Sequence, residues 1–232
     1  MSDKNTLYAA YASKEVGPPA DEYWVQRRRV ATLFRALQER VQTTGHGVAE
    51  LQALGDGLSA QLNALADEPR LEGRSAWADA EGFGDWGAFQ TEVTPVIGPS
   101  SPLSPGLSIW FEEDKAHAVV TFSWMYEGAD HIVHGGWIAA VFDELLGTAQ
   151  ILSGRSGMTG HLITRYHKPT PLNKELRMEA RVVSVEDRKI TMSGELWADD
   201  VMTASCEGLF VVPGGTPVSR GFGTHDGGVV NE

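Results

Sequence analysis

A long, mostly apolar segment in the second half of the chain constrains its fold more than any other feature. It reads HIVHGGWIAAVFDELLGTAQIL, from His131 to Leu152, and from about Gly135 onwards its apolar residues occupy every side of a helix. A helix that is apolar all round has to be covered on all sides. The segment therefore predicts a buried central helix over residues 135–152, interrupted only by the carboxylates Asp143 and Glu144.

Runs that alternate between apolar and polar residues lie on both sides of this helix. LSIWFEE and HAVVTFSWMYEG precede it, and HLITRYHK, ELRMEARVVSVED, KITMSGELWADD and VMTASCEGLFVV follow it. The period of two predicts β-strands. Charged turns between the last three runs indicate antiparallel pairing, so we predict a four-strand meander after the helix. The predicted fold class is α+β, an antiparallel sheet wrapped around one long central helix.

The chain in front of the strands divides into two parts. Within residues 21–66, apolar residues recur at helical spacing on either side of a break at TTGHG, which predicts a helical hairpin with one leucine-rich face. That face needs a partner, in this chain or in another. We divide the chain into an N-terminal helical extension (1–66), a Gly-, Pro- and Trp-rich wrapping segment (67–106), the sheet-and-helix domain (107–213) and a flexible tail (214–232).

The charge balance restricts the partners of the chain. Lys and Arg total 19 against 31 Asp and Glu, a formal net charge of -12, which argues against nucleic acid or an anionic membrane as the main partner. No apolar run reaches the roughly 18 to 20 residues of a membrane span, and the N-terminus lacks a signal-peptide pattern. A single cysteine, Cys206, excludes an intramolecular disulfide, and its place in an alternating strand pattern predicts a small buried side chain. We expect a soluble, cytoplasmic protein.

Two features of the central helix could carry chemistry. Gly135 and Gly136 stand at its start, where unpaired backbone N–H groups and the helix dipole could polarise a carbonyl oxygen; a plain tight turn is the alternative. Asp143 follows His134 by nine residues, or about 13 to 14 Å of helix, which is too far for both to act on one carbonyl. Asp143 could instead make a salt bridge or an interface contact. If it is catalytic, two antiparallel helices related by a two-fold axis would bring Asp143 of one subunit beside the helix start of the other. This predicts an obligate dimer with two shared sites.

Other polar residues are candidates for a binding site. Thr159 could hold a water for Asp143, or it could simply favour a strand. Five basic residues could grip phosphates, or they could form a solvated sheet edge; they are Arg165, His167, Lys168, Arg188 and Lys189. His131 and His134 straddle the predicted helix start without an obvious third ligand, so the sequence predicts no metal site.

The span from about Pro95 to Val212 resembles the hotdog-fold acyl-CoA thioesterases, in the branch that includes the phenylacetyl-CoA thioesterases and the mitochondrial thioesterase-superfamily members. The matching segments are HGGWIAAVFDELLG, MTGHLITRYHKPTPL and EDRKITMSGELW, with Thr159 sixteen residues after Asp143. GPSSPLSPGL also resembles the loop before the family's first strand, although Ser101-Pro102 stands where that family often has Asn-Pro. About half the chain is covered, and the N-terminal 90 residues lie outside the resemblance.

The resemblance implies hydrolysis of an acyl-CoA to free acid and CoA by a homodimer or homotetramer, with no cofactor apart from the coenzyme A of the substrate. Asp143 would be the general base or nucleophile, Thr159 would position the attacking water, and the helix start His134-Gly135-Gly136 of the partner subunit would polarise the thioester carbonyl. The five basic residues would lie near the coenzyme A phosphates. Because many relatives carry a small residue in place of Glu144, the resemblance leaves open whether Glu144 also shapes the site.

Two other functions are compatible with the sequence. The acyl group could be carried by acyl carrier protein, which turnover of one acyl group on both carriers would reveal. The chain could instead be a non-catalytic acyl-CoA-binding protein with the hairpin as an interaction arm, which would bind acyl-CoA tightly without releasing thiol. The length and class of the acyl chain, within fatty acid metabolism or outside it, do not follow from the sequence.

Overall fold

The structure is a computed structural model that describes residues 22–68, 70 and 92–214. Two helices come first, α1 (Glu22–Thr43) and α2 (Val48–Ala64), and the helix α3 (Gly135–Ala149) follows two strands. The six strands are β1 (Ser108–Glu112), β2 (Lys115–Thr121), β3 (Met158–Tyr166), β4 (Glu175–Glu186), β5 (Lys189–Ala198) and β6 (Val201–Val211). The predicted wrap around Trp77, Trp86 and Phe89 and the predicted tail after residue 214 lie outside the described residues.

The strands form one antiparallel sheet in the order β1-β2-β4-β5-β6-β3. Two-residue turns join β4, β5 and β6, and Asp187 and Asp199 in these turns have positive φ, 49° and 52°, as such hairpins require. The predicted four-strand meander is wrong for β3. Because β2 pairs with β4, β3 crosses to the far edge of the sheet and pairs with β6.

The core lies between α3 and the inner face of the sheet. Ile138, Val141, Phe142, Leu145 and Leu146 of α3 are buried. Alternate residues of β4 and β6 are buried with them: Leu176, Met178, Ala180, Ala204, Cys206 and Phe210. The alternation in β4 and β6 therefore predicted the inner face correctly except at Met202, which a register shift places opposite Trp197 on the outer face. The antiparallel sheet around one central helix is confirmed.

The central helix is not enclosed on every side. Its α-helical part ends at Ala149 and continues as a short 3-10 turn, Gln150–Ser153. Gly136 and Asp143 lie on an exposed stripe of α3, because the sheet covers one side of the helix only. The prediction of a helix buried all round is thus wrong for the single chain. The carboxylate of Asp143 is exposed to solvent.

Strand β2 is shorter than its alternating pattern indicated. It ends at Thr121, and Trp124–Tyr126 form a 3-10 turn. Phe122 and Tyr126 are nevertheless buried. The phenol of Tyr126 donates to the carbonyl oxygen of Leu103 at 3.1 Å, which attaches this turn to the segment before β1.

Helix α1 is anchored to the segment before β1 by both apolar and ionic contacts. Trp24 and Ala31 are buried. The guanidinium of Arg28 pairs with Glu92 at 2.6 Å, and Glu92 is 1% exposed. Ser100 donates a second hydrogen bond, of 2.7 Å, to the same carboxylate. Helix α1 is therefore part of the folded domain.

Helix α2 contains no buried residue. The leucine-rich face of α1 and α2 is exposed among the described residues, through side chains that include Leu33, Phe34, Val48, Leu51, Leu58, Leu62 and Leu65. The predicted helices are present, and the predicted need of this face for a partner is not met in the described part of the chain. None of the described helices is both long enough and apolar enough to cross a membrane.

Candidate active site

A hydrogen bond links the exposed stripe of α3 to the edge strand β3. Thr159 Oγ1 donates to Asp143 Oδ1 at 2.9 Å, and both side chains are exposed. The single hydroxyl hydrogen of Thr159 is thereby committed to the carboxylate, and the lone pairs of its oxygen can accept from a water. The pair can therefore hold a water beside a carboxylate that is free to take a proton from it.

A β-bulge places Thr159 on the helix-facing side of β3. Regular alternation would put Thr159 on the outer face with His161 and Ile163, whereas Leu162 and Thr164 face inward. The register between β3 and β6 shifts at Gly160, so that Thr159 lies opposite Phe210 while His161 lies opposite Leu209. A one-residue bulge reverses the face of every residue before it. The contact between Thr159 and Asp143 depends on this extra residue.

The start of α3 offers one unpaired backbone donor. His134 is the N-cap, and its Nδ1 accepts from the N–H of Gly136 at 3.0 Å, which makes Nε2 the protonated nitrogen of the neutral ring. The N–H groups of Trp137 and Ile138 bond to the carbonyl oxygen of His134. No described residue accepts from the N–H of Gly135. Of the two predicted glycines, Gly135 is thus the one whose N–H is available to a ligand.

Tyr166 holds the peptide next to this donor. Its hydroxyl donates to the carbonyl oxygen of Gly135 at 2.9 Å. A Cβ on Gly135 would lie 3.3 Å from the Tyr166 ring, so the glycine is needed for the ring to lie this close. The peptide between Gly135 and Gly136 is therefore fixed at both ends, through its oxygen by Tyr166 and through its N–H by His134.

The candidate site has two halves, the Asp143–Thr159 pair and the Gly135–Tyr166 pair, which lie at opposite ends of the antiparallel elements α3 and β3. Asp143 bonds to Thr159 near the start of β3, and Gly135 bonds to Tyr166 at its end. Eight residues of helix separate Gly135 from Asp143, about 12 Å along the axis. The structure brings each half together and keeps the halves apart within the chain, as the helix geometry predicted.

The predicted cluster of five basic residues is divided into two groups. Arg165 pairs with Glu207, and His167 bonds to Ser205. Arg188 donates to the carbonyl oxygen of Val212, beside Lys189 at the turn into β5. The two groups stand at opposite ends of β3, since Lys189 lies opposite Val211 and Val211 lies opposite Met158. The side chain of Lys168 is exposed and makes no ion pair within the described residues.

The remaining candidates occupy separate positions. Glu144 is half-buried and lies about 100° around the helix from Asp143, so the two carboxylates face different surroundings. His131 lies in an exposed group with Glu127 and Asp130, whose ligand-type atoms are within 4.8 Å of one another. His134 is outside that group because it caps α3. The two histidines of the sequence pattern therefore have different roles.

Cys206 is not available as a nucleophile. It is buried beneath β3, where the Thr164 hydroxyl lies 3.6 Å from its sulfur. Burial raises the pKa of its thiol, which disfavours the reactive thiolate. The prediction that Cys206 is a small buried side chain agrees with its position.

A cleft of about 650 Å³ opens beside the start of α3. Its lining includes His134, Gly135, Ile138, Tyr166, Lys168 and Thr170. Sequence reasoning assigned no role to Tyr166 or Thr170. Tyr166 follows Leu162 and Thr164 in the inward alternation of β3, and this signal was present in the sequence. The surroundings of Thr170 depend on how the chain crosses after β3, which no local pattern encodes.

Comparisons with known proteins agree with this architecture. A family model described as "Thioesterase superfamily" matches residues 130–205. The mouse acyl-coenzyme A thioesterase THEM4 is 33% identical over 81 residues, covering 35% of this chain and 35% of the mouse protein. An uncharacterized protein of Schizosaccharomyces pombe is 33% identical over 93 residues, covering 37% of this chain and 53% of that protein. The matches thus span about a third to a half of the curated relatives.

A solved structure extends the similarity beyond the sheet and central helix. The crystal structure of a thioesterase superfamily protein is 32% identical, covers 84% of this chain and 97% of its own chain, and superimposes with a TM-score of 0.68. So large a share of this chain includes residues in front of β1. The sheet order, the central helix and this relative together show that the chain has the hotdog fold and belongs to the thioesterase superfamily.

Proposed function

We propose that this protein hydrolyses acyl-CoA thioesters and does so as a homodimer with two sites shared between subunits. The observation that carries the proposal is the hydrogen bond from Thr159 to an exposed Asp143, a water-holding carboxylate on the open face of α3. The family supports hydrolysis of a thioester, and the name of the mouse relative supports coenzyme A as the carrier.

The shared site follows from the position of each half. β3 is an edge strand that pairs with β6 alone, and the exposed stripe of α3 runs beside it. If β3 pairs with its own copy across a two-fold axis, the strands run antiparallel. The start of β3, with Asp143, then lies near the end of β3 in the partner subunit, with its Gly135. This pairing also covers both the open strand edge and the open side of the helix.

The chemistry needs only these groups. Water held by Thr159 loses a proton to Asp143 as its oxygen attacks the thioester carbon, and the carbonyl oxygen takes up negative charge against the N–H of Gly135 at the positive end of α3. When the C–S bond breaks, the electron pair leaves with sulfur, which is protonated to give CoA thiol and the free acid. Direct attack by Asp143, followed by hydrolysis of the anhydride, uses the same geometry.

Thiol release from short, long and aromatic acyl-CoA thioesters tests the activity. Asp143→Asn should lower kcat by about 10²- to 10⁴-fold, since it removes the proton acceptor. Glu144→Gln is the matched control, because it makes the same change of charge one residue away on the same helix. Full activity in Asp143→Asn would show that another group is the base, and loss in both variants would bring Glu144 into the site.

Mixing two inactive variants tests the shared site. Gly135→Pro deletes the N–H donor at a helix position where proline is tolerated, and Gly135→Ala, which keeps the N–H, controls for the added carbon near Tyr166. Subunits of Gly135→Pro and Asp143→Asn that reassort at random should regain about a quarter of the wild-type activity, because half the dimers are mixed and each has one intact site. No recovery would place both groups in one chain.

The basic residues give a test of the carrier. We propose that Lys168, at the rim of the cleft, contacts a coenzyme A phosphate, with Arg165, His167 and the Arg188-Lys189 turn of the partner subunit nearby. Lys168→Ala should raise KM for acyl-CoA and leave kcat unchanged. An equal effect on the acyl-pantetheine ester, which lacks the nucleotide phosphates, would contradict this contact. Faster turnover on acyl carrier protein would favour the other carrier.

A further inference from the structure

A buried hydroxyl on the segment after β3 has no partner in the described part of the protein. Thr170 is 1% exposed, and its Oγ1 makes no hydrogen bond to any described residue. Its backbone is committed, because its carbonyl oxygen accepts from the N–H of Val133 at 2.9 Å. Buried hydroxyls are nearly always paired, since an unpaired one loses its hydrogen bonds to water. The Thr170 hydroxyl therefore points to a ligand.

Thr170 and the oxyanion donor Gly135 line the same cleft. The residues that line the cleft differ in both polarity and exposure. Lys168 and His167 are exposed at its rim, whereas Val133, Ile138 and Thr170 are buried. A ligand that fits this cleft has an anionic or polar part at the rim and a mostly apolar part inside, with one hydrogen-bonding group on the apolar part.

Building on the proposed function, we infer that the cleft holds the acyl group of the thioester and that Thr170 Oγ1 hydrogen-bonds to a hydroxyl or keto oxygen on that group. With the thioester carbonyl at Gly135, one arm of the substrate has to reach solvent and the other has to enter the cleft. The coenzyme A arm is long and anionic, and it suits the cationic rim. The acyl arm is the part that can enter the buried end.

Selectivity for a substituted acyl group follows because the Thr170 hydroxyl makes no hydrogen bond to the described residues in the free protein. An unsubstituted alkyl chain leaves the hydroxyl unpaired, while a hydroxyl or keto oxygen at the right carbon pairs with it at little desolvation cost to the protein. We expect kcat/KM for the substituted acyl-CoA to exceed that of its alkyl counterpart by about five- to tenfold.

The test uses matched acyl-CoA pairs, such as hexanoyl-CoA against hexanoyl-CoA carrying a hydroxyl or keto group at the second, third or fourth carbon. Thr170→Val keeps the shape and should reduce the five- to tenfold preference to about one, and Thr170→Ser should retain it. An unchanged preference in Thr170→Val would overturn the inference. So would an equal loss for both members of each pair, because that would put Thr170 on the coenzyme A arm.

Two measurements keep this inference separate from the proposed hydrolysis. Binding of the same pairs to the Asp143→Asn variant, measured by calorimetry, does not require turnover, and equal affinity within every pair would overturn the role of Thr170 even in an active enzyme. Absence of thiol release from wild type, with the binding preference intact, would sink the hydrolysis and not the inference. In the ligand-free protein, Thr170→Val should raise Tm by about 2 to 4 °C; a fall would show that the hydroxyl is already paired.

Discussion

Thr159 donates a 2.9 Å hydrogen bond to Asp143 across the junction of the edge strand β3 and the exposed stripe of α3. The two residues are sixteen positions apart. Their contact joins the edge strand β3 to the exposed carboxylate of α3, whereas the neighbouring Glu144 is half-buried. Both side chains are exposed to solvent in the single chain. The pair is therefore placed where a second copy of the chain can complete a site.

The hydroxyl of Thr159 should matter more than its shape. Thr159→Val should lower kcat for acyl-CoA by about 10- to 100-fold, because the water beside Asp143 loses its acceptor, and Thr159→Ser should restore most of the rate. Steady-state thiol release on equal amounts of folded protein checks this. Equal activity of the Val and Ser variants would show that Thr159 acts only as a strand residue.

Tyr166 should act as a positioning residue for the oxyanion donor. Tyr166→Phe keeps the ring against Gly135 and removes the hydrogen bond to its carbonyl oxygen. Looser placement of the donor affects the transition state more than the ground state, so kcat should fall about three- to tenfold with KM nearly unchanged. A higher KM at unchanged kcat would instead show that the phenol contacts the substrate.

The ion pair between Arg28 and Glu92 should hold α1 on the domain. Arg28→Met leaves the Glu92 carboxylate buried, with the Ser100 hydroxyl as its one remaining side-chain partner among the described residues, and should lower the free energy of unfolding by about 3 to 5 kcal/mol. The double variant Arg28→Met, Glu92→Gln removes the buried charge as well and should recover most of this loss. Urea unfolding of the single and double variants measures the coupling, and a sum of independent losses would contradict it.

Tyr126 should make the protein sensitive to alkaline pH. Burial raises the pKa of its phenol to about 12 from the ordinary value of 10. Below pH 10 the phenol is neutral in both the folded and the unfolded chain; as the pH rises from 10 to 12 only the unfolded chain ionises, so stability falls. Between pH 10 and 12, Tyr126→Phe should reduce the loss in free energy of unfolding by up to about 2 to 3 kcal/mol. Parallel pH profiles of the two proteins would contradict the burial effect.

Local patterns in the sequence determined much of this protein. Alternation in β4 and β6 placed Leu176, Met178 and Cys206 on the inner face, because side chains on a strand change sides at every residue whatever the strand pairs with. Helical spacing and the break at residues 44–47 located α1 and α2. The interval from Gly135 to Asp143 determined that one chain cannot bring both groups to one carbonyl, because rise per residue is a property of the helix itself.

Pairing and coverage were decided only by the tertiary structure. Strand β2 pairs with β4, and β3 lies at the far edge of the sheet beside β6. Alternation does not encode this choice of partner. The bulge at Gly160 turned Thr159 toward Asp143, and the sheet's coverage of one side of α3 left that carboxylate exposed. The same holds for the unpaired hydroxyl of Thr170 and for the division of the basic residues into two groups. Both depend on which distant segments of the chain pack together, and no single stretch of sequence contains that information.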